Sequence, residues 1–110
     1  MDLLIVDDEK IIRDATLQIV EDAGHYAEVA LDGKSALEAV RDGDFDAVLL
    51  DLNLGADNGL EVLAEIQKKS PGLPVVVFTA AATISTAVEA MRRGALDFLE
   101  KPFTVEQLHL

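Results

Sequence analysis

Four apolar residues, Ala47 to Leu50, run without a polar break into the carboxylate of Asp51. A short continuous apolar run of this kind is how a strand buried on both faces reads, and parallel sheets are built from such strands. The acid at its end then sits at the rim of the sheet. Leu3-Leu4-Ile5-Val6 does the same, running into Asp7-Asp8-Glu9, and Val75-Val76-Val77-Phe78 ends at the hydroxyl of Thr79. In open α/β sheets ligands bind outside the carboxyl ends of the strands, so these three endings share one crevice.

Strand and helix patterns alternate along the chain. Ile12, Ala15, Ile19 and Ala23 recur at helical spacing after the first strand, and Gly24 ends that helix. Tyr26 to Leu31 reads as a second strand. A helix follows the Asp32-Gly33 turn, with Ala36, Leu37 and Val40 inward and Gly43 at its end. After Asp51 a glycine-containing loop, Asn53 to Asp57, leads to Asn58, which caps a third helix with Glu61 as its box partner. Leu60, Leu63, Ala64 and Gln67 mark one stripe of that helix, and Ser70-Pro71-Gly72 stops it. Pro74 opens the fourth strand. Thr83 starts a fourth helix whose apolar face is Ile84, Ala87, Val88 and Met91, ended by Gly94. Ala95 to Leu99 is a fifth strand. Thr104 with Gln107 signs a fifth helix that the chain cuts short, so further domains are expected C-terminal to residues 1–110. These βα units predict an α/β fold, a flavodoxin-like doubly wound five-stranded parallel sheet of order 2-1-3-4-5. Asp7, Asp8 and Asp51 meet at its switch point.

Composition excludes several function classes. A net charge of -12 leaves nothing to neutralise nucleic-acid phosphates. There is no cysteine, which rules out thiolate metal sites, disulfides and cysteine nucleophiles. No apolar run approaches the ~20 residues that span a bilayer, and the N-terminus does not resemble a signal peptide, so the default expectation is cytoplasmic.

Three clustered carboxylates repel one another unless a hard cation joins them. Mg²⁺ prefers oxygen ligands and takes one or two carboxylates together with phosphate oxygens. Asp8 and Asp51 suit direct ligation, Asp7 direct or water-mediated ligation, and a backbone carbonyl just past Asp51 completes the protein's share. Lys101 can pair with the acids at rest and with a phosphoryl group afterwards, while Thr79 can donate its hydroxyl to a phosphoryl oxygen. Taken singly, each residue is an ordinary helix cap, turn hydroxyl or surface lysine. Together they describe a phosphate-accepting aspartate, Asp51, already ionised and needing no general base.

On Asp7-Asp8, Asp51, Thr79 and Lys101-Pro102, at their spacing, the chain resembles the receiver domains of two-component response regulators over essentially its whole length. The resemblance implies that Asp51 takes a phosphoryl group from a histidine of a partner kinase. It implies Mg²⁺ held by Asp8, Asp51 and the backbone carbonyl of Asn53, with Asp7 assisting, and a cis peptide between Lys101 and Pro102. It implies a switch in which Thr79 moves toward the phosphoryl group and Phe98 turns inward, altering the face made by the fourth helix, fifth strand and fifth helix. That face would control an output domain.

The stretch from Thr83 to Phe103 resembles receivers of nitrogen-regulation-type enhancer-binding activators, which implies an output in transcription. Two surfaces are open to a homodimer contact, the fourth-helix face and the apolar surface left by the shortened fifth helix. The sequence does not choose between them. Gly55 stands where many receivers carry proline, and Asn58-Gly59 where Asp-Gly is usual. The resemblance implies that Asn53 and Ala81 occupy positions that tune phosphoryl lifetime in such receivers. A rival reading, an aspartyl-phosphate hydrolase of the haloacid dehalogenase type, requires a second aspartate two residues after the nucleophile, where this chain has Asn53.

Overall fold

Every strand expected to be buried on both faces lies in one parallel sheet. The structure is a computed structural model that describes residues 1–80, 82–101 and 107. Its elements in chain order are β1 (Asp2–Val6), α1 (Lys10–Asp22), β2 (Tyr26–Ala30), α2 (Gly33–Asp42), β3 (Ala47–Asp51), β4 (Asn53–Leu54), β5 (Asp57–Asn58), α3 (Gly59–Lys69), β6 (Val75–Thr79), α4 (Ile84–Arg92) and β7 (Asp97–Glu100). The sheet runs β2-β1-β3-β6-β7, all neighbours parallel. Counting its strands alone, this is the expected 2-1-3-4-5 order, a flavodoxin-like doubly wound sheet.

The side-chain period of two along a strand divides the core into two layers. Leu3, Ile5, Leu49, Val76 and Phe78 pack with Val20 of α1 on one face. Leu4, Val6, Leu50, Val75 and Val77 pack on the other with Ala36, Val40, Leu63, Ile66 and Ala90, from α2, α3 and α4. All five residues of β3 and of β6 are buried, so continuous hydrophobicity is what their position demands.

Several local expectations shift. β2 ends at Ala30, one residue before the expected Leu31, and β7 covers Asp97–Glu100 where a strand from Ala95 to Leu99 is predicted. The core side of α1 is Thr16 and Val20, whereas Ala15 and Ala23 are exposed. Ile12, Ala15 and Ile19 instead line a surface groove of about 340 Å³ with Ile11, Thr16, Ala80 and Lys101. In α3 the buried residues are Gly59, Val62, Leu63 and Ile66, rotating the stripe away from Leu60 and Gln67. Asn58 caps α3 by accepting from the Leu60 N–H, without the expected return bond from Glu61.

α4 carries the largest difference. Its capping box pairs Thr83 with Thr86, and Ala90 is its buried residue. Ile84, Val88 and Met91 are exposed, at 86%, 52% and 48%. The helix sits on the sheet through small side chains, and its apolar stripe faces outward.

The loop after Asp51 is a small antiparallel hairpin, with Asn53 opposite Asn58 and Leu54 opposite Asp57. Gly55 takes φ +64° at the first position of the two-residue turn, while Ala56 keeps a negative φ, the pattern of a II′ turn. Proline could not adopt that φ, so glycine at this position goes with a differently shaped loop. The fifth helix, the Lys101-Pro102 peptide and Ala81 lie outside the described residues.

Candidate functional site

Parallel strands that end level bring their last residues together. β1 and β3 are adjacent in the sheet, and the chain leaves them through Asp7 and Asp51, which are 0% and 1% exposed. β6 ends at buried Thr79, whose carbonyl accepts from the Lys101 N–H at 3.0 Å, and this places Lys101 over the crevice just past β7. Its Nζ donates to Asp51 Oδ2 at 2.8 Å and to Asp7 Oδ2 at 3.0 Å, and stands 4.6 Å from the centre of the Phe78 ring. One ammonium therefore holds two buried carboxylates and rests on an aromatic face.

The remaining carboxylate oxygens are oriented by backbone. Asp51 Oδ1 accepts from the Asn53 N–H at 2.9 Å, and Asp7 Oδ1 from the Glu9 N–H at 3.0 Å. Arg13 Nη1 reaches the Asp7 carbonyl at 3.3 Å. Burial pushes the Asp51 carboxyl above the usual carboxylate range, against the lowering pull of Lys101 and of the Asn53 N–H, with Asp7 adding to the rise. Burial also works against the Lys101 charge, but its bonds to Asp51 and Asp7 outweigh that and hold it above the usual lysine range.

Asp7, Asp8 and Asp51 each offer an oxygen within 4.8 Å of the others, Asp8 being the exposed member. At bond lengths of about 2.1–2.5 Å, oxygens on opposite sides of a divalent cation are about 4.2–5 Å apart. The donor set is oxygen only. The cluster fits a hard divalent cation.

The structure thus brings together Asp7, Asp8, Asp51 and Lys101, and sets Thr79 at the end of the neighbouring strand. Asn53, two residues after Asp51 and the first residue of β4, contributes its N–H to that carboxylate. Phe98 is half-buried in β7 against the core layer that includes Ala90 and Ala95. Sequence reasoning missed Phe78 as the aromatic floor under Lys101. Its apolar character identified it as core, but only the strand order puts it beneath that ammonium.

The raised Asp51 value has a testable sign. A carboxyl whose folded-state pKa exceeds its unfolded one, near 3.8, adds stability below the unfolded value and loses it as pH rises through the folded value. Asp7, Asp8 and Lys101 are the charged groups that face it. The metal-free domain should weaken to urea as pH climbs out of the ordinary carboxylate range, and Asp51→Asn should flatten that change. A wild-type profile no steeper than the variant's would contradict the assignment.

A five-stranded doubly wound sheet with a lysine-bridged acid cluster at its switch point defines an α/β domain whose site is a buried aspartate at a strand end. The family model for the response regulator receiver domain matches residues 3–110, and this chain belongs to that family. It is 41% identical over 108 residues to the alginate biosynthesis transcriptional regulatory protein AlgB of Pseudomonas aeruginosa, covering 98% of this chain and 24% of that protein. The receiver domain of NtrX from Brucella abortus superposes with a TM-score of 0.90 at 46% identity, covering 96% of this chain and 90% of that one.

A Burkholderia pseudomallei response regulator, solved with a phosphorylated aspartic acid, calcium ion and citrate, superposes with a TM-score of 0.90 at 31% identity, covering 96% of this chain and 62% of that one. The chain spans about a quarter of the length of the curated relatives it matches. Those relatives include transcriptional regulators and NtrX-like proteins, in keeping with the nitrogen-regulation-type subgroup. No helix among the described residues is long and apolar enough to cross a membrane.

Proposed function

We propose that this domain is a phosphorylation switch in which Asp51 accepts a phosphoryl group from a phosphohistidine of a partner kinase. The observation that carries the reading is Lys101 Nζ bridging the Asp51 and Asp7 carboxylates at the ends of β3 and β1. An Asp51 carboxylate oxygen attacks phosphorus in line with the departing imidazole nitrogen. The new O–P bond makes an acyl phosphate, and the nitrogen keeps the electron pair of the broken N–P bond. Lys101 exchanges its bond to Asp51 Oδ2 for one to a phosphoryl oxygen, and the Thr79 hydroxyl donates to another. Asp8, Asp51 and the Asn53 carbonyl, with Asp7 assisting, would hold Mg²⁺, which when bound would neutralise phosphoryl charge. Lys101 and the Asn53 N–H orient the acceptor and favour its charged form against the opposing effect of burial.

Phosphorylation adds about two negative charges, and the two-state element it biases is Thr79 with Phe98. The exposed stripe Ile84, Val88 and Met91 is the face through which the change reaches an output domain or a second copy. Length supports an output domain C-terminal to residues 1–110, since the curated relatives are about four times as long and include transcriptional regulators. The reading carries a cytoplasmic location, and the charge of -12 keeps this segment off nucleic acid.

Intact-mass spectrometry after incubation with acetyl phosphate tests the reading. The expected product is one phosphoryl adduct that needs Mg²⁺ and is discharged by hydroxylamine, as an acyl phosphate must be. No adduct on rapid quenching, or one stable to hydroxylamine, would sink it.

A further inference from the structure

The hairpin after Asp51 is fastened at a point that none of the site residues requires. Asp57, opposite Leu54 in the hairpin, accepts the Gly33 N–H on Oδ2 at 2.9 Å. Gly33 is the first residue of α2, and its N–H is one of the donors that the helix cannot satisfy internally. The α2 cap, Asp32, is already engaged with Ser35. A side chain at Gly33 would meet Val62 Cγ2 at 2.8 Å and Asp57 Oδ2 at 3.5 Å, so α2 starts hard against α3 and beside Asp57.

The other side of the same hairpin lies over the acid cluster. A Cβ at Gly55 would stand 2.9 Å from Asp8 Oδ2, the exposed member of that cluster. Asn53, the first hairpin residue, binds Asp51 Oδ1 through its N–H. A segment of six residues, Asn53 to Asn58, therefore touches two carboxylates of the cluster at one side and the start of α2 at the other.

We propose that Asp57 is a positioning residue for the divalent-metal site. Its carboxylate, drawn to the positive end of the α2 dipole, pins the hairpin so that the Asn53 backbone and the Gly55 turn keep a set distance from Asp51 and Asp8. Leu54 in the core and the Gly59 N–H on the Leu52 carbonyl hold the base of the hairpin, and Asp57 holds its outer strand. Removing it widens the hairpin's motion without unmaking the cluster. The consequence is weaker metal binding, with the chemistry of the filled site left intact.

The proposal rests on reading Asp7, Asp8 and Asp51 as a metal site. Its test is calorimetric titration of wild type, Asp57→Ala and Asp57→Asn with Mg²⁺, beside the acetyl phosphate reaction run across Mg²⁺ concentration. Asp57→Ala should raise the Mg²⁺ Kd and the half-saturating Mg²⁺ by about three- to tenfold, less than the 10–100-fold typical of a group bonded directly to a ligand. The rate at saturating Mg²⁺ should stay within about twofold. Asp57→Asn keeps an acceptor for the Gly33 N–H and should recover most of the affinity. An unchanged Kd in Asp57→Ala, or an Asp57→Asn as weak as it, overturns the proposal. So does a fall confined to the saturated rate. Wild type without saturable Mg²⁺ binding would instead overturn the metal-site reading itself.

Discussion

Asp51→Asn is expected to abolish the phosphoryl adduct while leaving the domain folded. Asparagine has the same shape and keeps an oxygen to accept the Asn53 N–H, which Asp51 Oδ1 takes at 2.9 Å, so β3 still ends as it does now. Lys101 keeps its bond to Asp7 at 3.0 Å and is not left as an uncompensated buried charge. What disappears is the anionic oxygen that attacks phosphorus, and an amide is no substitute nucleophile at neutral pH. Intact mass after acetyl phosphate should show no adduct above background, and the melting temperature in EDTA should move by only a few degrees, as about 1 kcal/mol would move it. An adduct of wild-type yield on the variant would assign acceptance to another residue.

Lys101→Ala has the opposite profile, with a large effect on stability and a graded one on rate. Its side chain is 9% exposed, and it bridges Asp7 and Asp51 side chains exposed by only 0% and 2%. Taking away the shared partner leaves two adjacent buried carboxylates, and breaking a buried pair in this way costs about 3 kcal/mol or more. Domains of this kind have roughly 5–15 kcal/mol in total, so the metal-free variant should melt well below wild type. A divalent cation supplies the missing positive charge, and saturating Mg²⁺ should close much of that gap, with about 2.7 kcal/mol available at a hundredfold excess over Kd. Phosphorylation at saturating Mg²⁺ should slow by about 10–100-fold, the loss of one charge-assisted hydrogen bond in the transition state. Equal melting of variant and wild type in EDTA, or a gap that Mg²⁺ leaves untouched, would refute the clamp role of Lys101.

These two expectations separate features that were readable from the chain from those that were not. Asp51, Asp7, Asp8, Thr79 and Lys101 could be singled out because each stands at the end of an apolar run or at a spacing the alternating βα pattern makes meaningful. Strand burial sets that pattern, and burial is a local property of Val, Ile and Leu runs. The helix faces were less legible. On α4, Ile84, Val88 and Met91 do form one stripe, but periodicity reports that a stripe exists and not what covers it, and here it is solvent. On α1 and α3 the buried stripe is displaced from the expected one, to Thr16 and Val20 and to Val62, Leu63 and Ile66.

The sheet, its order and the residues at its carboxyl edge were legible in the chain, since those follow from which segments must leave water and which residues terminate them. That Lys101 spans two acids at once above Phe78 emerged from the folded structure. It alone revealed that the loop beyond Asp51 is a II′ hairpin tied through Asp57 to the start of α2. The Lys101 contacts and the Asp57–Gly33 bond join residues between 23 and 94 positions apart. Nothing in local hydrophobicity or propensity records them, because they depend on how twisted strands and packed helices bring distant ends into register.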